Sequence, residues 1–90
     1  MKITCEQIDK DVYTDLEACA SNENFYEIVI SVMLFNYSVK ELIEFVDTAD
    51  EWDEMYVYEA LIALSKKLNI NVNKFNNNNS LFDAIIAASL

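Results

Sequence analysis

The chain contains no glycine, no proline and no histidine, and all six of its basic residues are lysine. A chain of average composition and this length would carry about six glycines and about four prolines. Without glycine there is no glycine-rich phosphate loop, no dinucleotide-binding fingerprint and no Asn-Gly hairpin turn. Without histidine there is no Ser-His or Cys-His pair and no histidine-containing zinc site. Cysteine is scarce as well. Cys5 and Cys19 fit no metal or redox spacing. On one continuous helix they would stand close to four turns apart, beyond the reach of a disulfide, so they read as buried, reduced thiols. Long apolar runs are also missing. The longest, Ile28 to Phe35, has eight residues and is interrupted by Ser31, whereas a membrane span needs about 20. The opening Met1-Lys2-Ile3-Thr4-Cys5-Glu6 reaches an acid at once and holds no signal-peptide core. The expectation is a cytoplasmic protein without membrane insertion.

Apolar residues and negative charge are abundant. Of the 90 residues 53% are hydrophobic and 12% aromatic, ample for a core and too apolar for disorder. The same richness leaves material for dimerisation or partner binding. Sixteen acids against six lysines give a net charge of −10 and a pI near 4.1. Nucleic-acid phosphates and anionic membranes would be repelled by such a surface, while a basic partner would be steered toward it.

Apolar periodicity is helical almost throughout. Ile8, Val12, Leu16 and Cys19 form one amphipathic stripe. Between Phe25 and Phe35 only Glu27 and Ser31 are strongly polar, which predicts a central, mostly buried helix; the β-branched Ile28, Val29, Ile30 and Val32 leave strand as the alternative. Val39, Leu42, Ile43 and Val46 mark a third helix. Trp52, Tyr56, Ala60 and Leu64, widened by Val57, Leu61 and Leu68, mark a long fourth. Leu81, Phe82, Ile85 and Ile86 mark a short fifth. Thr4 with Gln7, Asn24 with Glu27, Ser38 with Glu41, Thr48 with Glu51 and Ser80 with Asp83 fit or approximate capping boxes. Asn22, Asn36 and Asn69 stand where helices should stop, in the left-handed positions that glycine usually fills. The fold class is therefore all-α. We expect one domain over 1–90, a bundle with helices at about 4–20, 24–36, 38–48, 50–68 and 80–89. An irregular asparagine-rich segment, 69–79, has Ile70, Val72 and Phe75 as core anchors and Asn76 to Asn79 as an exposed tip.

The charge is concentrated. Residues 38–59 hold one lysine and eight acids, whereas residues 60–90 are net positive. On the expected boundaries Asp50, Glu51, Asp53 and Glu54 occupy the first turn of the fourth helix, where acids complement the helix dipole. Glu44 and Asp47 sit near a helix C-terminus, the unfavourable end. A patch held against its own repulsion suggests use. Trp52, Tyr56, Tyr58 and Glu59 are interleaved with these acids, and Trp and Tyr dominate binding hot spots. Trp52 and Tyr56 share the stripe with Ala60 and Leu64, which favours core. Tyr58 lies off the stripe, and Tyr58 and Phe45 are expected to be exposed.

Catalytic and metal chemistry finds little footing. A calcium loop starting at Asp47 would place Trp52 at the required glycine and Tyr58 at the final ligand. The acids all read as exposed, without the contrasting environments that carboxylate-pair hydrolysis needs, and Glu6 beside Cys5 would raise the thiol pKa. The expectation is a non-enzyme with no catalytic residue, no metal site and no cofactor. It would be a small protein-binding antagonist, of the broad type of toxin-immunity proteins and phage inhibitors. The binding set is Glu44, Asp47, Asp50, Glu51, Trp52, Asp53, Glu54 and Tyr58, and the target a basic protein. A sharper variant is nucleic-acid mimicry by Glu44, Asp47, Glu51 and Glu54 on one helix face, which a helix break at Thr48 would disrupt. The alternative is a helical adaptor or regulatory protein, homodimeric or not, that binds through apolar surface.

Overall fold

Side-chain acceptors at the helix starts set most of the boundaries. The computed structural model describes residues 3–18, 25–49 and 56–90. Among them are α1 (Cys5–Ala18), α2 (Phe25–Asn36), α3 (Val39–Thr48), α4 (Val57–Leu68), a 3-10 turn (Val72–Lys74) and α5 (Asn78–Ser89), with no strand. The all-α expectation holds, and the β-branched run Ile28–Val32 is helical. Thr4 opens α1, its hydroxyl accepting from the Gln7 amide at 3.2 Å. Ser38 opens α3 with a complete capping box: its hydroxyl accepts from the Glu41 amide at 3.1 Å, and Glu41 accepts from the Ser38 amide at 3.0 Å. Hydrogen bonding to the carboxylate from the Ser38 backbone amide, and next from the Ser38 side chain, holds the Glu41 carboxyl below its ordinary pKa. Asn24, Glu51 and the left-handed turn expected at Asn22 lie outside the described residues.

Two boundaries differ from expectation. α5 starts at Asn78, because the Asn77 side chain accepts from the Ser80 amide at 2.8 Å. Ser80 is thus the recipient of a cap and not its source. Part of the asparagine run therefore starts a helix instead of forming only a tip. α4 starts at Val57, preceded by Tyr56 with φ −108° and ψ 6°, and its first-turn acid is Glu59; residues 50–54, expected in its first turn, lie outside the described residues. Asn69 does take the left-handed turn, φ 58° and ψ 43°, and donates to the Ser65 carbonyl. Asn36 does not, since Asn69 is the one described residue with positive φ. Between α4 and α5, the Asn71 side chain accepts from the Asn73 amide at 3.0 Å and shapes the 3-10 turn. Ile70, Val72 and Phe75 pack half-buried on the core, as expected.

One hydrophobic cluster joins residues from all five helices, including Ile8 and Val12, Val29 and Met33, Leu42 and Phe45, Leu61 and Leu64, and Leu81 and Ile85. The side chain of Leu16 and the whole of Cys19 lie outside the described residues. The central helix is α4, not α2 as its thin polar strip predicts. α4 packs against α2, α3 and α5, and its buried arc includes the small residues Ala60, Ala63 and Ser65, which allow neighbours to approach closely. The buried Ser65 hydroxyl donates to the Leu61 carbonyl at 2.8 Å. α2 instead leaves Phe35 85% exposed. Phe45, expected at the surface, is 1% exposed. The core-facing arc of α3 is centred on Leu42 and Phe45, and Val39, Ile43 and Val46 form its edges. On α5 Leu81 and Ile85 are buried, while Phe82 is partly buried and Ile86 exposed.

Two tyrosine hydroxyls tie α1 to the rest. Tyr37, between α2 and α3, donates to Asp11, and Tyr56 donates to Asp9. The two aspartates flank the Ile8–Val12 stripe, and the Gln7 side-chain amide donates to the other oxygen of Asp11 at 3.2 Å. Burial, reinforced by the hydrogen bond to each carboxylate, pushes both tyrosine hydroxyls well above their ordinary pKa.

Candidate functional site

An i, i+4 pair on α4, Tyr58 and Ile62, forms a ridge between two surface cavities. One cavity, of about 310 Å³, is bounded by the asparagine-rich segment and the start of α5, including Val72, Phe75 and Asn77. The other, of about 350 Å³, lies along the packed pair α2 and α4; Tyr26 and Ile30 come from α2, and Tyr58, Glu59 and Ile62 from α4. Tyr58 is 56% exposed, as its position off the apolar stripe predicts, and Tyr26 is 59% exposed. The Tyr26 ring meets Phe25 edge-on, 5.8 Å between centroids at 75°, a favoured aromatic geometry that orients the ring.

Glu59 departs most from expectation. The acids all read as exposed, yet Glu59 is 6% exposed, and its Oε2 is buried with no hydrogen-bond partner among the described residues. Its position explains the burial. On α4 it falls three residues after Tyr56 and one before Ala60, both buried, with buried Ala63 one turn further on. The same stripe that identifies Tyr56, Ala60 and Leu64 as core carries Glu59 with it.

Of the eight residues expected to bind a partner, Asp50, Glu51, Trp52, Asp53 and Glu54 lie outside the described residues. Glu44 and Asp47 are exposed on α3, opposite the arc of Leu42 and Phe45. Thr48 ends α3, its hydroxyl donating to the Glu44 carbonyl at 2.7 Å, and Ala49 follows in extended conformation. α3 therefore ends at Thr48, as the expected helix break requires, and Glu51 and Glu54 of the expected phosphate-like row lie outside the described residues. Tyr56 is core, 2% exposed. Tyr26, Ile30, Glu59 and Ile62 complete the surface around Tyr58. Residue spacing could have found Ile62 and Glu59 from Tyr58 and Tyr56, whereas the two α2 residues depend on how α2 and α4 pack.

Among the described residues no group of three or more Cys, Asp or Glu side chains could hold a metal ion, and no helix is long and apolar enough to cross a membrane. Comparison of the chain with protein-family models, with curated proteins and with solved structures finds no match.

Proposed function

We propose that this protein is a non-catalytic, protein-binding antagonist, of the immunity-protein or phage-inhibitor type, that engages a basic protein through the acidic and aromatic surface of residues 41–59. The observation that carries the reading is the exposed Tyr58 ring, standing between two cavities and next in sequence to a buried carboxylate. A tyrosine offers a large, rigid contact area with a polar tip, the profile of an interface anchor. Glu44 and Asp47 face solvent on α3, and the segment 38–59 holds seven of the ten excess negative charges, a field that would steer a basic partner inward. The test is affinity capture with mass spectrometry at low and high salt, with D50N/E51Q/D53N/E54Q alongside. A basic protein held by the wild type, released by salt and weakened in the variant is the expected result. Binding indifferent to salt and to the four substitutions would remove the reading.

A second reading, an adaptor that binds through apolar surface with or without self-association, draws on Phe35, 85% exposed on α2, and on the exposed Ile86 of α5. Sedimentation of wild type and F35S tests self-association, expected as a dimer that F35S dissociates, and capture of a partner that F35S weakens and salt does not would favour the adaptor over the antagonist.

A further inference from the structure

We propose that the cavity along α2 and α4 receives the ammonium or guanidinium head of a lysine or arginine side chain presented by the partner, with Glu59 as its counter-charge. The inference rests on the reading that the partner is basic, and names the chemistry by which such a partner would be held. Three features converge. Glu59 lines the cavity, is nine-tenths buried and keeps Oε2 without a hydrogen-bond partner among the described residues; an entering N–H donor satisfies that oxygen and neutralises its charge. Tyr26 and Tyr58 contribute aromatic rings, whose faces attract cations. Ile30 and Ile62 contribute aliphatic wall against which the methylene stem of a lysine or arginine packs while its head reaches the carboxylate. At about 350 Å³ the cavity falls in the range of sites for small groups, about 300–1,000 Å³. An anion would meet the carboxylate's repulsion, and a neutral apolar group would leave Oε2 unsatisfied. A hard divalent ion needs about six or more oxygen ligands, which one carboxylate among two isoleucines and two phenols does not furnish.

The experiment is an NMR titration of the isotope-labelled full chain with n-butylammonium and n-butylguanidinium, with 1-pentanol as the neutral and butyrate as the anionic comparison. The expected result is a saturable perturbation for both cations, concentrated at Tyr26, Ile30, Tyr58 and Ile62, with butyrate silent and 1-pentanol clearly weaker. E59Q, which keeps the shape and removes the charge, should bind the cations at least tenfold more weakly, and Y58A, which removes an exposed ring, should also weaken them. If E59Q does not fold, Y58A decides. Perturbations scattered over the surface, 1-pentanol equal to the cations, or unchanged binding in the variants would overturn the assignment. Capture of a basic protein that D50N/E51Q/D53N/E54Q weakens, with no cation binding in the cavity, would keep the basic-partner reading and overturn this one. Cation binding in the cavity, with capture indifferent both to salt and to the four substitutions, would keep the cavity assignment and overturn the acidic-surface reading.

Discussion

Replacing Glu59 by methionine should make the protein more stable. A buried polar group left without a hydrogen bond costs about 1–3 kcal/mol, and exchanging a buried charge for a well-packed apolar side chain of similar size often gains in the same range. Glu59 lies in the first turn of α4, where a negative charge is favoured by roughly 0.3–1 kcal/mol, and the methionine variant forfeits that part. Methionine matches the glutamate in length, and its flexible thioether fills irregular space beside Ala60 and Ala63. The net expectation for E59M is a gain of about 1–2 kcal/mol, which in a domain of this size raises Tm by roughly 5–15 °C. Urea unfolding followed by circular dichroism is the assay. The midpoint should move to higher urea with the slope unchanged, which isolates stability from a change in the surface exposed. E59Q should gain less, because its amide also requires a partner. An E59M protein equal to or less stable than wild type would refute the reasoning, since the carboxylate would then carry no penalty in the free protein.

The remaining expectations concern the elements that hold this surface in place. Because burial and the Asp11 and Asp9 carboxylates raise the Tyr37 and Tyr56 hydroxyls above their ordinary value of 10.0, their contribution is complete below about pH 10 and is lost as pH rises above it. Urea midpoints measured from neutral pH into the alkaline range should fall more steeply for wild type than for Y37F/Y56F, and equal slopes would contradict the assignment. F45A should cost about 3–5 kcal/mol as a large-to-small core change, while Y58A should stay within about 0.5 kcal/mol, both read from the same unfolding curves. S38A and N77A should each cost about 1 kcal/mol by removing a helix cap, whereas S80A should lie within about 0.5 kcal/mol; the reverse order for Asn77 and Ser80 would shift the start of α5.

The fold class was legible because helical spacing, capping pairs and the absence of glycine and proline all point one way. Ser38 with Glu41 is the clearest case, a pattern in sequence and a two-way hydrogen bond in the structure. The cap at Asn77 is not legible in the sequence, because four asparagines in a row offer four equivalent caps, and only the packing of Leu81 and Ile85 selects among them. The burial of Phe45 is not legible because Val39, Leu42, Ile43 and Val46 define an arc too broad to locate its centre, and the contact with α4 rotates it toward Phe45. Glu59 presents the opposite case. Its charge argued for solvent while its spacing argued for the core, and spacing prevailed. At the surface, exposure of Tyr58 followed from its position off the stripe, but Tyr26 and Ile30 could be joined to it only once α2 was seen to lie along α4.

The central claim, that the acidic surface captures a basic protein, is tested most directly by the association rate constant for the captured partner, measured for wild type and D50N/E51Q/D53N/E54Q as ionic strength rises. Screening shortens from about 30 Å at 0.01 M salt to about 3 Å at 1 M, and steering raises association rates by about 10-fold to 1,000-fold. The account predicts a wild-type rate that falls by at least about tenfold over that range, and a variant that starts slower and falls less. Rates that ignore salt, or curves that coincide for the two proteins, would contradict it.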